Sequence, residues 1–448
     1  MVKILNNYLN IAEDAIKIIK NKGVDGDIII YDNNSLNVSQ RLLKLEEISY
    51  SNNTQIGIRV IDKKKVSCVS SNDMNKIDEL IDMAIVMANS APEDPHVSIA
   101  SLNNDDSLEI ENLMLYDDIN VNVDQINSLL YKMEDAALSY DKKIVNSEGA
   151  SFSKVNSNVI LATSNGFMKS YKKSYTSVYI SVIAAENNKM EVDYNYLVKC
   201  HFCDIQNPYK LGKESAMRAL RKLNARKIKT CKLPVIIENR VASTLLQSFA
   251  SAITGDSIAN KTSFLSNSMH TKVFSSNINI IDDPLIKKGL SSYPFDGEGI
   301  CGYRKEIVKN GIINSWILDM YTANQLNLVT TGNAIKRSNA AVIPGVSNFY
   351  IQNGNVSVDD LISDVSKGIY VTDLFGFGIN LTTGDYSQGA FGFMIENGKI
   401  TYPVNEITIA GNLNNIFQNM SVANDLVFFK SINSPTLKIH EMTVAGRE

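Results

Sequence analysis

The sequence predicts an α+β protein in two domains. Residues 1–215 read as an N-terminal α/β domain with helices laid on a sheet, and residues 216–448 as a C-terminal domain that is mostly antiparallel β with a few helices. Three patterns predict this. Helical spacing of apolar residues alternates with short apolar strands over the first 140 residues. Long alternating strands take over from residue 154. Asn-Gly hairpins recur after residue 271.

In the first domain, Ile11, Ala12, Ala15, Ile16 and Ile19 share one face of a helix over residues 11–22, and Gly23 stops it. Residues 27–31 form a short apolar strand. Over residues 55–61, Ile56, Ile58 and Val60 alternate to one side, and a turn at 62–65 returns the chain as a strand at 66–69. Asn72 or Asp73 opens the next helix, lined by Ile77, Leu80, Ile81, Ala84 and Ala88, with Pro92 and Pro95 beyond its end. Residues 97–122 are polar and acidic and are expected to be a long connection. A helix over 123–140 turns Ile126, Leu129, Leu130, Met133 and Ala137 inward.

Residues 154–197 then read as long alternating strands. A helix over 210–224, with Leu211, Met217, Leu220 and Leu223 inward, leads into the second domain. Pro234 marks the start of a new strand at 233–238, and a helix over 240–253 follows. Asn310-Gly311 and Asn397-Gly398 each stand between apolar runs, the signature of tight primed turns. The densest glycine block, residues 371–413, reads as turns at Gly376, Gly378 and 382–385, a strand at 390–395 and a returning strand at 399–404. Pro403 is expected to end that strand or to mark a sheet edge.

Composition excludes several classes of function. Hydrophobic residues make up 44% and charged residues 21%, the balance of an ordinary globular protein, and the formal net charge of −4 gives no general affinity for nucleic acid. The run Lys63-Lys64-Lys65 is short enough to be a solvated turn. No apolar run reaches the roughly 18 residues of a membrane span. Glu13 and Asp14 fall where a signal peptide would be apolar, so a cytoplasmic location is expected. Five cysteines, an odd number, suit a reducing compartment.

Few residues are spaced for chemistry. The four histidines stand apart, and no two-histidine helix motif occurs. Cys200, His201 and Cys203 could offer zinc two thiolates and an imidazole, but a closed site needs a fourth ligand, for which Cys231 or Cys301 would have to come close. No Gly-x-Ser-x-Gly elbow and no phosphate-cradling glycine loop is present. Asp296 and Glu298 lie in a turn, DGEG, that reads as a glycine-rich connector.

Several long strings are more specific. They are GDYSQGAFGFMIENGKITYPVNEITIAGNL, SPTLKIHEMTVAG, SSYPFDGEGICGYRKEIVKNGIINSWILDMYTANQLNLVTTGNA and ARKIKTCKLPVIIENRVASTLLQSFASAITGDSI, with weaker matches in RLLKLEEISYSNNTQIGIRV and APEDPHVSIA. These resemble the TldD/PmbA family, and within it the PmbA (TldE) branch. The resemblance implies a large two-domain architecture and a role in cytosolic peptide cleavage. The family's TldD branch carries zinc on a helix bearing His-Glu-x-x-x-His, with a later Cys as third ligand. Aligned to that helix, this chain has Gln247 and Ser248 where His and Glu would be, and Ala252 where the second His would be; no cysteine lies beyond Cys301.

The resemblance therefore implies a chain with no cofactor of its own, partnered by a TldD-like catalytic subunit that holds the zinc, with a peptide or unfolded polypeptide as substrate. A self-sufficient homodimeric peptidase and a non-hydrolytic peptide-binding or gyrase-modulator-like protein are the alternatives. Residues 383–393 are expected to shape the peptide- or partner-facing cleft. Gly384 and Gly389 would allow close approach of another chain, Asp385 and Ser387 would offer hydrogen bonds, and Tyr386 a ring with a polar tip.

Overall fold

The computed structural model describes residues 2–101, 113–376 and 378–447. The chain begins with α1 (Val2–Asn21), β1 (Asp25–Arg41), β2 (Lys44–Asp62), β3 (Lys65–Ser71) and α2 (Ile77–Ser90). After the connection over 97–122, whose middle, 102–112, lies outside the described residues, come α3 (Val123–Leu138), β4 (Ile144–Thr163), β5 (Met168–Glu186), β6 (Lys189–Lys199) and α4 (Pro208–Lys222). Among the described residues these strands form one sheet in the order β3-β2-β1-β4-β5-β6, every pair antiparallel.

The period-2 alternation of the strands assigns the two faces. Ile28, Ile30, Ile56, Ile58 and Val60 meet Ala12, Ile16 and Ile19 of α1 and Ile81, Ala84 and Ala88 of α2. Further along the same face, Phe152, Val178, Ile180 and Val182 meet α3 and α4. Asn122 and Gln125 close a capping box at the start of α3. At Gly212 a Cβ would stand 1.9 Å from the Met133 carbonyl oxygen, so only glycine lets α4 lie this close to α3. The expected boundary at 215/216 falls inside α4: Leu211, Ala216 and Ala219 pack with the N-terminal layers, while Arg221 and Lys222 at its end reach Phe393 and Asp373 of the second domain.

The second domain runs through β7 (Cys231–Ile237), α5 (Asn239–Ala252), α6 (Gly255–Ala259), β8 (Ile280–Asp282), β9 (Lys305–Lys309), β10 (Ile312–Ile313) and α7 (Met320–Leu326). It continues with β11 (Ala334–Lys336), β12 (Val342–Pro344), β13 (Phe349–Ile351), α8 (Val358–Ser363), β14 (Lys367–Phe375) and β15 (Ile379–Asn380). The last elements are β16 (Asp385–Glu396), β17 (Lys399–Asn412), α9 (Leu413–Gln418), β18 (Met420–Val422), β19 (Ile432–Asn433) and β20 (Leu437–Ala445).

Its main sheet closes on itself. β14 pairs in parallel with β7, β7 with β20, β20 with β17, β17 with β16, and β16 returns to β14. This is a barrel, and closure removes the exposed edges of an open sheet. A smaller sheet in the order β10-β9-β8-β13-β19 packs beside it. Both expected hairpin tips are found, with Asn310 and Gly311 at φ +49° and +80° and Asn397 and Gly398 at +49° and +73°. Two expectations change. The strand after the glycine turn starts at Asp385 and not at residue 390. The returning strand runs through Pro403 to Asn412, because the pairing shifts register on either side of the Phe393–Pro403 pair and tolerates the missing donor there.

The two domains meet on the sheet face opposite the helices. Ile29, Val159 and Leu161 are covered there by Phe167, Phe295 and Ala340. The same seam holds a buried ionic cluster. Arg59 donates to Asp27 at 2.7 Å, Lys336 pairs with the other Asp27 oxygen, and Arg59 lies 3.6 Å from Glu298. Burial pushes the Asp27 carboxyl up, but Arg59 and Lys336 outweigh it and hold the group below its usual range. No helix among the described residues is long and apolar enough to cross a membrane.

Candidate functional site

Helix α5 builds one wall of a cleft. Its inner residues Leu245, Leu246, Phe249 and Ala252 sit in the main C-terminal core. Phe249 anchors the helix by edge-on contacts with Phe274 and Phe417, at ring distances of 4.8 and 5.8 Å. The opposite face turns Thr244, Gln247, Ser248 and Ser251 into a cavity of about 300 Å³. Leu374, Ile379, Leu381 and Gln388, from β14, β15 and their flanks and from β16, form the other wall.

Hydrogen bonding decides which groups are available. The Thr244 hydroxyl donates to the Val241 carbonyl at 2.7 Å, and the Ser248 hydroxyl to the Thr244 carbonyl at 3.0 Å. Both are occupied by their own helix. Gln247 is exposed, while Gln388 is 6% exposed. Neither amide has a protein partner among the described residues, and no charged side chain lines the cleft there. The cleft therefore presents two neutral primary amides, each with donors and an acceptor, over an apolar floor.

This donor set does not fit zinc, which is held in proteins by thiolates, imidazoles and carboxylates. Gln247 and Ser248 lie on the cleft, at the positions the resemblance assigns to the first zinc ligand and the catalytic carboxylate. Ala252 does not. It is 0% exposed and packed in the core, because five residues along a helix turn a side chain by about 140° from Gln247. Ser251, one turn from Gln247, faces the cleft in its place.

The expected site in residues 383–393 is corrected in part. Tyr386 is 2% exposed and belongs to the main core, so its ring is not offered to another chain. Asp385 and Ser387 are exposed on the other face of β16. Asp385 accepts from the Thr383 hydroxyl at 2.6 Å and from the Asn412 amide at 3.2 Å, and these bonds hold its carboxyl below its usual range. Gly384, at φ +78°, serves the turn before β16, and Gly389 lies against Phe375. Gln388 and Ser251 were not singled out by the sequence, although extending the β16 alternation back from Ala390 would have placed Gln388 on the inner face.

Cys200, His201 and Cys203 do not share a partner. The Cys200 thiol contacts the Lys288 carbonyl at 3.3 Å, His201 Nε2 bonds the Met114 carbonyl at 2.8 Å, and Cys203 is exposed. Among the described residues no group of three or more His, Cys, Asp or Glu is placed to hold a metal ion.

Comparison with known proteins places this geometry in a context. Residues 26–88, 116–223 and 230–446 match the models of PmbA/TldA metallopeptidase domain 1, central domain and C-terminal domain. The chain is 33% identical over 439 residues to metalloprotease PmbA of Escherichia coli O157:H7, covering 97% of this chain and 95% of that one. It is 26% identical over 348 residues to a metalloprotease TldD homolog of Buchnera aphidicola, covering 71% of each. In fold it is similar to the crystal structure of a candidate modulator of DNA gyrase from Bacteroides thetaiotaomicron, with a TM-score of 0.89 at 24% identity over 98% of both chains.

Proposed function

Because the chain belongs to the PmbA/TldD metallopeptidase family, we propose that it is the zinc-less subunit of a cytosolic two-subunit peptidase, acting in peptide proteolysis or maturation beside a TldD-like catalytic subunit. The observation that carries this reading is the wall of α5. Where a catalytic member would need metal ligands and a carboxylate, it presents Gln247, Ser248 and Ser251. Such a wall suits holding a peptide more than cleaving one. The Gln247 and Gln388 amides complement an extended peptide backbone, which offers the same donors and acceptors in turn. The partner supplies the zinc, the general base and the hydrolytic water, and this chain closes the chamber over the substrate.

A second feature supports association. β3 pairs with β2 only over residues 56–62, so the outer edge of β2 from 44 to 55 has no neighbouring strand among the described residues. Leu45, Ile48 and Tyr50 are exposed along it. An unpaired edge with apolar side chains is a surface that natural proteins cover. Incubating the purified chain alone with unfolded peptide substrates tests the reading. No hydrolysis is expected, with or without added zinc. Chelator-sensitive hydrolysis by this chain alone would overturn it in favour of a self-sufficient homodimer.

A further inference from the structure

A separate cavity of about 470 Å³ lies on the seam between the domains, between the end of β6, the 286–290 turn and the segment leading into β19. It shares no lining residue with the α5–β16 cleft. Its charge is one-sided. Lys199, Lys287, Lys288 and Lys430 line it against a single aspartate, Asp204, which is already paired with Lys288 at 2.8 Å. Among the described residues the ammonium groups of Lys199, Lys287 and Lys430 have no carboxylate or other hydrogen-bond partner.

Burial makes that arrangement consequential. Lys430 is half-buried, and desolvation lowers its ammonium from the usual lysine range. Lys173, 9% exposed, does not line the cavity but is linked to its wall through Ser292. Its ammonium donates to the Ser292 carbonyl at 3.2 Å and lies 4.9 Å from the Tyr175 ring centre, and burial lowers it to about 8. The Ser292 hydroxyl accepts from the side-chain amide of Asn348, which forms part of the cavity wall. A half-buried ammonium without a counter-ion, as at Lys430, is costly, and an anion in the cavity would relieve it. The rest of the wall is mixed: Gln206 and Asn348 add neutral polar groups, and Leu290 and Phe428 add apolar surface.

We propose that this seam cavity binds a ligand carrying an oxyanion, a carboxylate or a phosphate, on a partly apolar body. Lysines act as point charges that accept either head group, without the fixed fork that arginine imposes. The volume falls within the roughly 300–1,000 Å³ of small-molecule sites. A peptide with a free C-terminus and a phosphorylated metabolite are the two sources of that chemistry, and they are separable by experiment.

The test is calorimetric titration of the full chain at low salt with three probes: inorganic phosphate, a short apolar peptide ending in a free carboxylate, and the same peptide amidated. The expected result is binding of phosphate, of the free acid, or of both, with the amide at least about tenfold weaker than any acid that binds, as for loss of a charge-assisted bond. Binding weakens as salt is raised. In a Lys199→Gln, Lys430→Gln double variant it falls by a further factor of about ten or more, with the melting temperature retained. Phosphate binding alone identifies a phosphate head, and binding of the free acid alone identifies a carboxylate. No binding by phosphate or acid overturns the proposal. So does equal binding of acid and amide without a response to phosphate, or binding unchanged in the double variant.

Discussion

The ammonium of Lys336 is paired with the carboxylate of Asp27, 309 residues earlier in the chain, and both side chains are about 1% exposed. The pair belongs to different domains, and Arg59 shares the same carboxylate. Removing one member of a buried pair strands the others. Asp27→Asn is therefore expected to lower unfolding stability by about 3–5 kcal/mol, because it leaves Lys336 uncompensated and Arg59 with only Glu298, 3.6 Å away. Chemical denaturation measures this. A loss below about 1 kcal/mol would mean that the cluster is far more hydrated than its burial indicates.

Glu298 gives the seam a pH dependence. Complete burial pushes its carboxyl up to about 7; Arg59 opposes this and the neighbouring Asp296 reinforces it. The folded state thus holds a proton that an unfolded glutamate releases near its ordinary 4.5. The contribution to stability is complete below about pH 4.5 and is lost as pH rises through about 7. Glu298→Gln keeps an acceptor for the Met320 N–H, which bonds Glu298 at 2.8 Å, and removes the titration. The stability of wild type relative to Glu298→Gln is expected to fall between pH 5 and pH 7.5, read by thermal melts. A difference that stays constant over that range contradicts the assignment.

Tyr386 separates packing from polarity. Its ring is in the core, and its hydroxyl is buried with no hydrogen-bond partner among the described residues. Tyr386→Phe removes that unsatisfied group and is expected to leave stability unchanged or to raise it by up to about 1–3 kcal/mol. Tyr386→Ala is expected to lower it by about 3–5 kcal/mol, as for a large aromatic deleted from a core. Melting of the two variants checks both. A destabilised Phe variant would reveal a partner for the hydroxyl.

The exposed stretch of β2 is expected to carry subunit association. Ile48→Lys with Tyr50→Lys places charge on that edge without touching the core, since both residues are exposed. Light scattering of wild type and variant, alone and with the TldD-like protein, is expected to show loss of association in the variant. The melting temperature of the isolated variant should stay within a few degrees of wild type, as surface substitutions usually cost about 0.5 kcal/mol or less. Unchanged association would place the partner surface elsewhere.

The parts of the fold that were legible in the sequence are those with a strong local pattern. The inner faces of α2 and α3 and the two Asn-Gly turns needed only period 3.6 and a positive φ. The full length of β1 and β2 was hidden. Residues 33–54 are rich in Ser and Asn, and β2 is exposed over most of its outer half, so little apolar alternation marks it. The start of β16 was hidden because GDYSQG reads as turn chemistry, while its inward residues Tyr386, Gln388 and Ala390 are set by pairing with β17. Barrel closure rests on the parallel pairing of β7 with β14, and the ionic cluster on residues 27, 59, 298 and 336. Neither leaves a local signature. The α5 wall was not legible as a wall: the resemblance singles out Gln247, Ser248 and Ala252 only as positions of an absent zinc motif, and the helical rotation that turns Ser251 and not Ala252 to the cleft is visible only with the core in view.

Reconstitution measures the division of labour most directly. The purified chain, a zinc-loaded TldD-like subunit and their mixture are assayed separately for hydrolysis of one unfolded peptide, with and without chelator. The expected result is hydrolysis by the mixture that exceeds the sum of the separate chains, is abolished by chelator, and falls when this chain carries Gln247→Ala and Gln388→Ala. Hydrolysis by this chain alone that disappears when a tightly held, stoichiometric metal is stripped from it, or a mixture no more active than the TldD-like subunit by itself, would contradict a zinc-less, peptide-holding role.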